Sequence, residues 1–246
     1  MSDQLDLLVI AAHPDDAELT VGGTIIKSIH EGLRVGVLDL TQGELGSRGT
    51  VELRAQEAAN AATVLGLSVR ENLQLPDGNI TSDGLHPLIG VLRRWCPRTV
   101  MTHPSECRHP DHEATHHLVR KACFYAGLPK LKHPNGAPPW RPHHVLYFAE
   151  VGLFDPSFVV DVSSEWSQRT RALQCYGSQF HSPAYKSNST EPETFISSAG
   201  FLEWVDARAR TYGHLIGCTY GEPFQYQGTL GVSDLDQFLQ SNAVDR

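Results

Sequence analysis

A chain of 246 residues, 40 % apolar and 20 % charged, has the composition of a folded globular protein, which excludes a disordered chain, a collagen-like fibre and a coiled coil. Its length suits one large α/β domain over residues 1–246. Twenty Lys and Arg against 28 Asp and Glu leave a net charge of −8, which repels phosphate backbones and anionic lipid, so neither nucleic acid nor a membrane is expected as a partner.

The first apolar run, Leu7 to Ala12, falls well short of the ~20 residues of a spanning helix. Asp3 and Asp6 stand where a secretory leader would be positive, so a cytoplasmic protein is expected. Cys96, Cys107, Cys123, Cys175 and Cys218 are odd in number and include no C-x-x-C, predicting reduced structural or surface thiols. Leu5–Ala12 is apolar apart from Asp6 and runs up to Pro14 and two aspartates, the pattern of a buried central strand entering a loop. Residues 18–31 carry Leu19, Ile25, Ile26 and Ile29 at helical spacing before Gly32, and 34–41 repeats the strand pattern. An Ala-rich helix over 50–66 is followed by a short strand at 72–75, a helix at 82–95, a strand at 98–102 and a helix over 113–126. This alternation predicts an α/β fold with a parallel sheet and helices on both faces. Strands at 145–150 and 158–161 and helices at 164–176 and 201–213 complete the expected elements, with surface excursions at 128–144 and 182–192.

Ligands of such sheets gather beyond the carboxyl ends of the strands, which draws loops 12–16, 41–49 and 103–112 to one crevice. His13-Pro14-Asp15-Asp16 follows the first strand. Pro14 stiffens the turn, so that a His13 nitrogen and an Asp16 oxygen can meet one ion while Asp15 stays free to take a proton from water. In His109-Pro110-Asp111-His112 the i, i+3 spacing sets both imidazoles on one side of a first helical turn. One can bind metal while the other faces the reacting group, and spacing does not say which. Either motif alone also reads as a helix start with incidental polar residues. Two of them at the mouths of different strands favour a shared metal site. A His, His, Asp set leaves coordination positions open, as in catalytic zinc sites, and nitrogen and oxygen donors also accept Fe(II), Co(II) or Mn(II). Zinc lowers the pKa of water to roughly 7, so hydrolysis with Asp15 as base is expected. Glu44 and Arg48, in the glycine-spaced loop Gly43–Gly49, together with Arg54 and Arg108, are candidate substrate contacts. Gly22-Gly23 inside a helical stretch predicts a close approach to the sheet or to the metal loop.

The segments A-H-P-D-D-A-E, followed by Gly22-Gly23, and R-H-P-D-H resemble the LmbE/PIG-L family of metal-dependent N-acetylglucosaminyl deacetylases. T-Q-G-E-L-G-S-R-G-T-V-E-L-R, R-E-N-L-Q-L-P-D, F-D-P-S-F-V-V-D-V and A-R-A-R-T-Y-G-H-L-I-G-C-T-Y-G-E-P-F look like the branch that serves bacillithiol biosynthesis, a likeness spanning residues 5 to about 226. The resemblance implies a Rossmann-like, mostly parallel sheet and hydrolysis of the acetamide of N-acetylglucosaminyl malate to glucosaminyl malate and acetate, by a homo-oligomer, trimeric or hexameric. It implies zinc, or another divalent ion, on His13, Asp16 and His112, with Asp15 as the general base. It further implies a protonated His109 supporting the tetrahedral intermediate, Asp111 orienting a catalytic histidine, and Arg54 touching the sugar. Other N-acetylglucosamine derivatives, glucosaminyl thiol conjugates and a non-catalytic metal or nucleotide module are the alternatives. The stretches 131–144 and 182–198 depart from the family pattern and are expected to border the crevice, and Tyr185 and Tyr212 are unassigned candidates for polarising a carbonyl.

Overall fold

Leu7 and Val9 of the first strand, β1 (Leu7–Ala11), face one way and Leu8 and Ile10 the other, and all four are buried. Only a strand covered on both sides places apolar residues so. The computed structural model describes residues 4–134, 136–150, 152–231, 233 and 235; the ends of the single domain expected over 1–246 lie outside them. β1 lies inside a seven-stranded sheet with β2 (Val35–Thr41), β3 (Val69–Leu75), β4 (Thr99–Thr102), β5 (His144–Phe148), β6 (Phe158–Asp161) and β7 (Gly221–Tyr226), in the order β3-β2-β1-β4-β5-β7-β6. β3 through β5 are parallel, whereas β7 pairs antiparallel with both β5 and β6.

Helices α1 (Asp16–His30), α2 (Val51–Leu65) and α5 (Trp166–Gln174) cover one face, joining Leu7, Val9, Val35 and Val37 in a core that includes Ile25, Ile26 and Leu65. Helices α3 (Leu85–Trp95) and α4 (Pro110–Ala126) cover the other, packing Leu88, Leu92, Val119 and Ala122 on Leu8, Ile10 and Leu38. The short α6 (Pro183–Lys186) and α7 (Ala199–Leu215) complete the chain's helices among the described residues, and Phe201 and Val205 of α7 join Tyr176 and Phe180 in a third cluster. No helix among the described residues is long and apolar enough to cross a membrane.

The pattern of expected elements departs from the structure at one strand. β7 is not among the expected elements; Pro223, a residue that disfavours a central strand, sits in it opposite Val159 of β6, where the pairing with β5 has already ended at Phe224. The glycine pair of α1 makes the close approach expected of it, to the sheet and not to the metal loop: a Cβ on Gly23 would lie 2.7 Å from Val162 Cβ, next to β6, and one on Gly22 2.9 Å from Arg169 Cγ of α5. The amides of Gly23 and Thr24 donate to the buried Glu222 carboxylate at 2.9 and 2.7 Å, which holds α1 against β7.

Candidate active site

After β3 the chain crosses back over β1 to form β4, so β1 and β4 diverge at their carboxyl ends and leave a crevice between their exit loops. His13, Asp15 and Asp16 leave β1 there, and His103, His109 and His112 follow β4. The crevice is a cleft of about 360 Å³ lined by these loops except His103, with Leu45, Gly46, Ser47 and Arg48 from the glycine loop and Thr194, Phe195 and Ile196 from the later excursion.

Three donor atoms converge at its base. His13 Nδ1 and His112 Nε2 each lie 3.4 Å from Asp16 Oδ2 and 3.3 Å from one another. Ligands at roughly 2.0–2.1 Å around a tetrahedral ion stand roughly 3.3–3.4 Å apart, so the triangle has the size of three corners of a zinc site. The outward nitrogens are engaged by carboxylates: His13 Nε2 meets Asp77 Oδ1 at 3.0 Å and Asp111 Oδ2 at 3.4 Å, and His112 Nδ1 meets Glu150. Protons belong on those outer nitrogens, which turns two bare lone pairs and a carboxylate oxygen toward one point, a cluster that calls for a cation. Burial alone would lower the affinity of both rings for a proton. The Asp111, Asp16 and Asp77 carboxylates around His13, and Asp16 and Glu150 around His112, outweigh it and hold both pKa values well above the ordinary imidazole range. A divalent ion would meet that demand for positive charge, so the residues present fit the group.

His103 also approaches Asp16 Oδ2, at 3.6 Å. Its Nε2 accepts the Ala12 amide at 2.9 Å and its Nδ1–H is donated to Glu150, so neither nitrogen has a free lone pair for a metal. Burial lowers its pKa and keeps it neutral, consistent with that pattern.

Asp15 stands outside the triangle. Its φ of +119° lies in the region that non-glycine residues seldom adopt, and such backbone must be held. Arg54 of α2 holds it, donating Nε and Nη2 to the Pro14 carbonyl at 3.1 and 3.0 Å and Nη2 to Asp15 Oδ2 at 2.9 Å, with Nη1 3.4 Å from the Gly43 carbonyl. Among the described residues no other side chain holds the Asp15 carboxylate by a hydrogen bond or ion pair. Burial pushes its carboxyl up to about 7, against the pull of the Arg54 guanidinium. Arg54 was expected to touch sugar. It lines the cleft, yet its fork is largely occupied with clamping the His13–Asp16 turn.

His109 Nδ1 accepts the Asp111 amide at 3.3 Å, capping α4 and leaving Nε2 as the ring's donor; its ring lies 4.8 Å from that of His13. It faces the cleft, and burial lowers its pKa, with the His112 and His13 charges acting the same way. Asp111 lies against the His13 ring, while its Oδ2 accepts the Gly78 amide at 2.7 Å. The remaining candidates divide. Arg48 lines the cleft, anchored through Nε to the Ser178 carbonyl at 2.8 Å and stacked on Tyr185 at 5.1 Å. Arg108 lies at the rim, 4.8 Å above the Phe195 ring, with no ion pair among the described residues. Glu44 does not line the cleft; its Oε1 accepts the Asp77 amide at 2.8 Å.

Of the two irregular stretches, 182–198 supplies wall residues, whereas 131–144 supplies none among the described residues; it packs behind the sheet, where Trp140 donates to the Pro97 carbonyl at 2.9 Å. Tyr185 bonds Glu191 and Tyr212 bonds the Phe154 backbone, and neither lines the cleft. The sequence reading missed Asp77, His103 and Glu150, all just past the carboxyl ends of β3, β4 and β5, the one signal that could have found them. Cys107 is a free thiol, as expected, and its Sγ lies 3.0 Å from Glu150 Oε2 and 3.3 Å from His112 Nδ1.

Comparison with known proteins bears on the same residues. The family model described as PIG-L, GlcNAc-PI de-N-acetylase, matches residues 8–123, which include both histidine motifs. A diacetylchitobiose deacetylase of Thermococcus kodakarensis is 30 % identical over 192 residues, covering 73 % of this chain and 72 % of that protein. A 4-oxalmesaconate hydratase of Pseudomonas putida is 29 % identical over 199 residues, covering 72 % and 75 %. A probable N-acetyl-α-D-glucosaminyl L-malate deacetylase of Bacillus anthracis is 26 % identical over 224 residues, covering 84 % and 94 %. Among solved structures, a conserved protein of Thermus thermophilus superposes with a TM-score of 0.83 at 37 % identity, over 94 % of this chain and 98 % of that one. With the fold, the paired motifs and this similarity in agreement, the chain belongs to the PIG-L family of GlcNAc-PI de-N-acetylase-like proteins.

Proposed function

We propose that the protein is a divalent-metal-dependent N-deacetylase of N-acetylglucosamine-type substrates, with His13, Asp16 and His112 as the metal ligands. The observation that carries this reading is an aspartate outside the donor triangle but clamped beside it, since a passive ion site has no use for such a group. A divalent ion there supplies Lewis acidity to a carbonyl and makes water a stronger acid. Asp15 takes the proton as the water oxygen bonds to the acetyl carbon, and returns it to the sugar nitrogen as the C–N bond breaks, releasing acetate and a free amine. His109 Nε2–H donates to the carbonyl oxygen as charge grows there, and Arg54 keeps Asp15 aimed.

At finer grain, the proposal is zinc as the ion and N-acetylglucosaminyl malate as the substrate, in a cytoplasmic homo-oligomer. The Bacillus anthracis relative supports the malate reading. Arg48 and Arg108, on the cleft wall and rim, have the charge to meet its carboxylates. The chitobiose relative supports amino-sugar chemistry with another aglycone. A second reading is favoured by the hydratase relative: the same base and water could add across a carbon–carbon double bond.

Acetate release from N-acetylglucosaminyl malate, compared with diacetylchitobiose and with and without chelator, separates these readings; absence of acetate from either acetamide with the zinc-loaded enzyme would sink the deacetylase. Replacing Asp15 by Ala is expected to lower kcat by roughly 10²–10⁴-fold with metal content by elemental analysis unchanged. Activity within a few-fold of the parent would remove Asp15 from the role of base.

A further inference from the structure

One carboxylate joins the metal ligands to the glycine loop. Asp77 leaves the end of β3 in the segment L-P-D-G, and its side chain is 7 % exposed. Oδ1 receives His13 Nε2–H at 3.0 Å, while Oδ2 accepts the Leu45 amide at 2.9 Å. Its own amide donates to Glu44 Oε1 at 2.8 Å, closing a second link to the same loop. Asp111 also approaches His13 Nε2, but at 3.4 Å, and its Oδ2 holds the Gly78 amide at 2.7 Å, so it braces the Asp77 turn from the opposite side.

We propose that Asp77 is a positioning residue that sets the His13 tautomer for metal binding and, with its other oxygen, latches the loop Gly43–Gly49 over the cleft. The inference rests on the metal reading above. A proton held on Nε2 leaves Nδ1 as a bare lone pair facing Asp16 and His112, and the carboxylate raises the basicity of that nitrogen. The two oxygens of one rigid group reach both partners only when the loop and the imidazole are in register, so the ion site and the loop residues Leu45, Gly46 and Ser47 that line the cleft are set together. Asp77 lies 64 residues from His13 in the chain, and only the return of the β3 exit loop over β1 joins them.

The test uses the full-length protein, Asp77→Ala, Asp77→Asn and Glu44→Ala, with three readouts: zinc affinity by competition with a chromophoric chelator, amide exchange of the 43–49 peptide, and melting of the metal-free protein. Asp77→Ala is expected to weaken zinc binding roughly 10–100-fold and to speed exchange at Leu45, while the metal-free melting temperature moves little. Asp77→Asn, whose single carbonyl oxygen can serve His13 or Leu45 but not both, should lose one effect and retain most of the other. Glu44→Ala is expected to loosen the loop with zinc affinity within about twofold of the parent, since Glu44 holds the Asp77 amide and touches none of the proposed ligands. Parent-like zinc affinity in Asp77→Ala, or unchanged exchange at Leu45, would overturn the proposal while leaving the metal reading intact. A parent protein that binds no zinc would overturn both.

Discussion

The two ends of the sheet are built differently. From β1 to α4 each strand feeds a helix, every strand pair is parallel, and each histidine motif gathers its polar side chains within four consecutive residues. From β5 onward the strands meet antiparallel, the helices are shorter or separated by irregular stretches, and what reaches the cleft comes from scattered points of the chain: Glu150 past β5, Gln179 and Phe180 past α5, Thr194, Phe195 and Ile196 before α7. The parallel end carries groups able to do chemistry, and the antiparallel end supplies an outer brace and the walls. Reactive groups can cluster locally because a tight turn presents neighbours to one point, whereas walls are built wherever the chain happens to pass.

Three substitutions sharpen or break that division. The largest effect is expected at Glu150, the antiparallel end's contribution to the metal site, because Glu150→Ala removes the acceptor for both His103 Nδ1 and His112 Nδ1. Zinc affinity should fall roughly 10–100-fold, read by chelator competition. Unaltered affinity would mean that the parallel end holds the ion unaided. Next comes Gly23→Ala, where the two ends press together: a methyl 2.7 Å from Val162 Cβ and 3.0 Å from Glu222 Oε1 has no room. A loss of about 1–3 kcal/mol in denaturant unfolding is expected, with kcat little changed because the cleft loops are not involved. A neutral result would show that β6 and β7 yield where the parallel strands would not. The smallest effect is expected at the rim. Arg108→Ala should raise KM for a carboxylate-bearing substrate roughly fivefold, the ~1 kcal/mol that an exposed ion contact contributes, and leave KM for a neutral acetamido sugar unchanged; equal changes for both would remove Arg108 from anion recognition.

Much of the parallel end was legible because its signals are local. Apolar runs of strand length alternating with helical spacing specify βα units, and H-P-D-D and H-P-D-H each place their donors by covalent geometry alone. Legibility failed where a residue's role depends on a partner far along the chain. Asp77 is one acidic residue in a turn until β3 returns its loop over His13, and Glu150 is one more until β5 lines up beside β4. β7 is hidden because Pro223 argues against a strand, and its pairing is decided by distant partners: β6 lies opposite Pro223, while β5 pairs only with Phe224 to Tyr226. Arg54 shows the same limit. Its position predicts an available guanidinium, and only the fold turns its fork back onto the Pro14 carbonyl and Asp15.

By itself, the sequence determined the class of fold, the strand ends that carry polar groups and the two short motifs, because hydrophobic period and turn chemistry act over a few residues. Tertiary structure alone decided that the inward nitrogens of His13 and His112 share one point with Asp16, that Asp15 is left outside and clamped, and that carboxylates from β3 and β5 back the two imidazoles. Those outcomes depend on strand order. Crossing from β3 back over β1 to β4 brings loops about a hundred residues apart within hydrogen-bonding distance, as with His13 and His112, and no short-range pattern encodes that step.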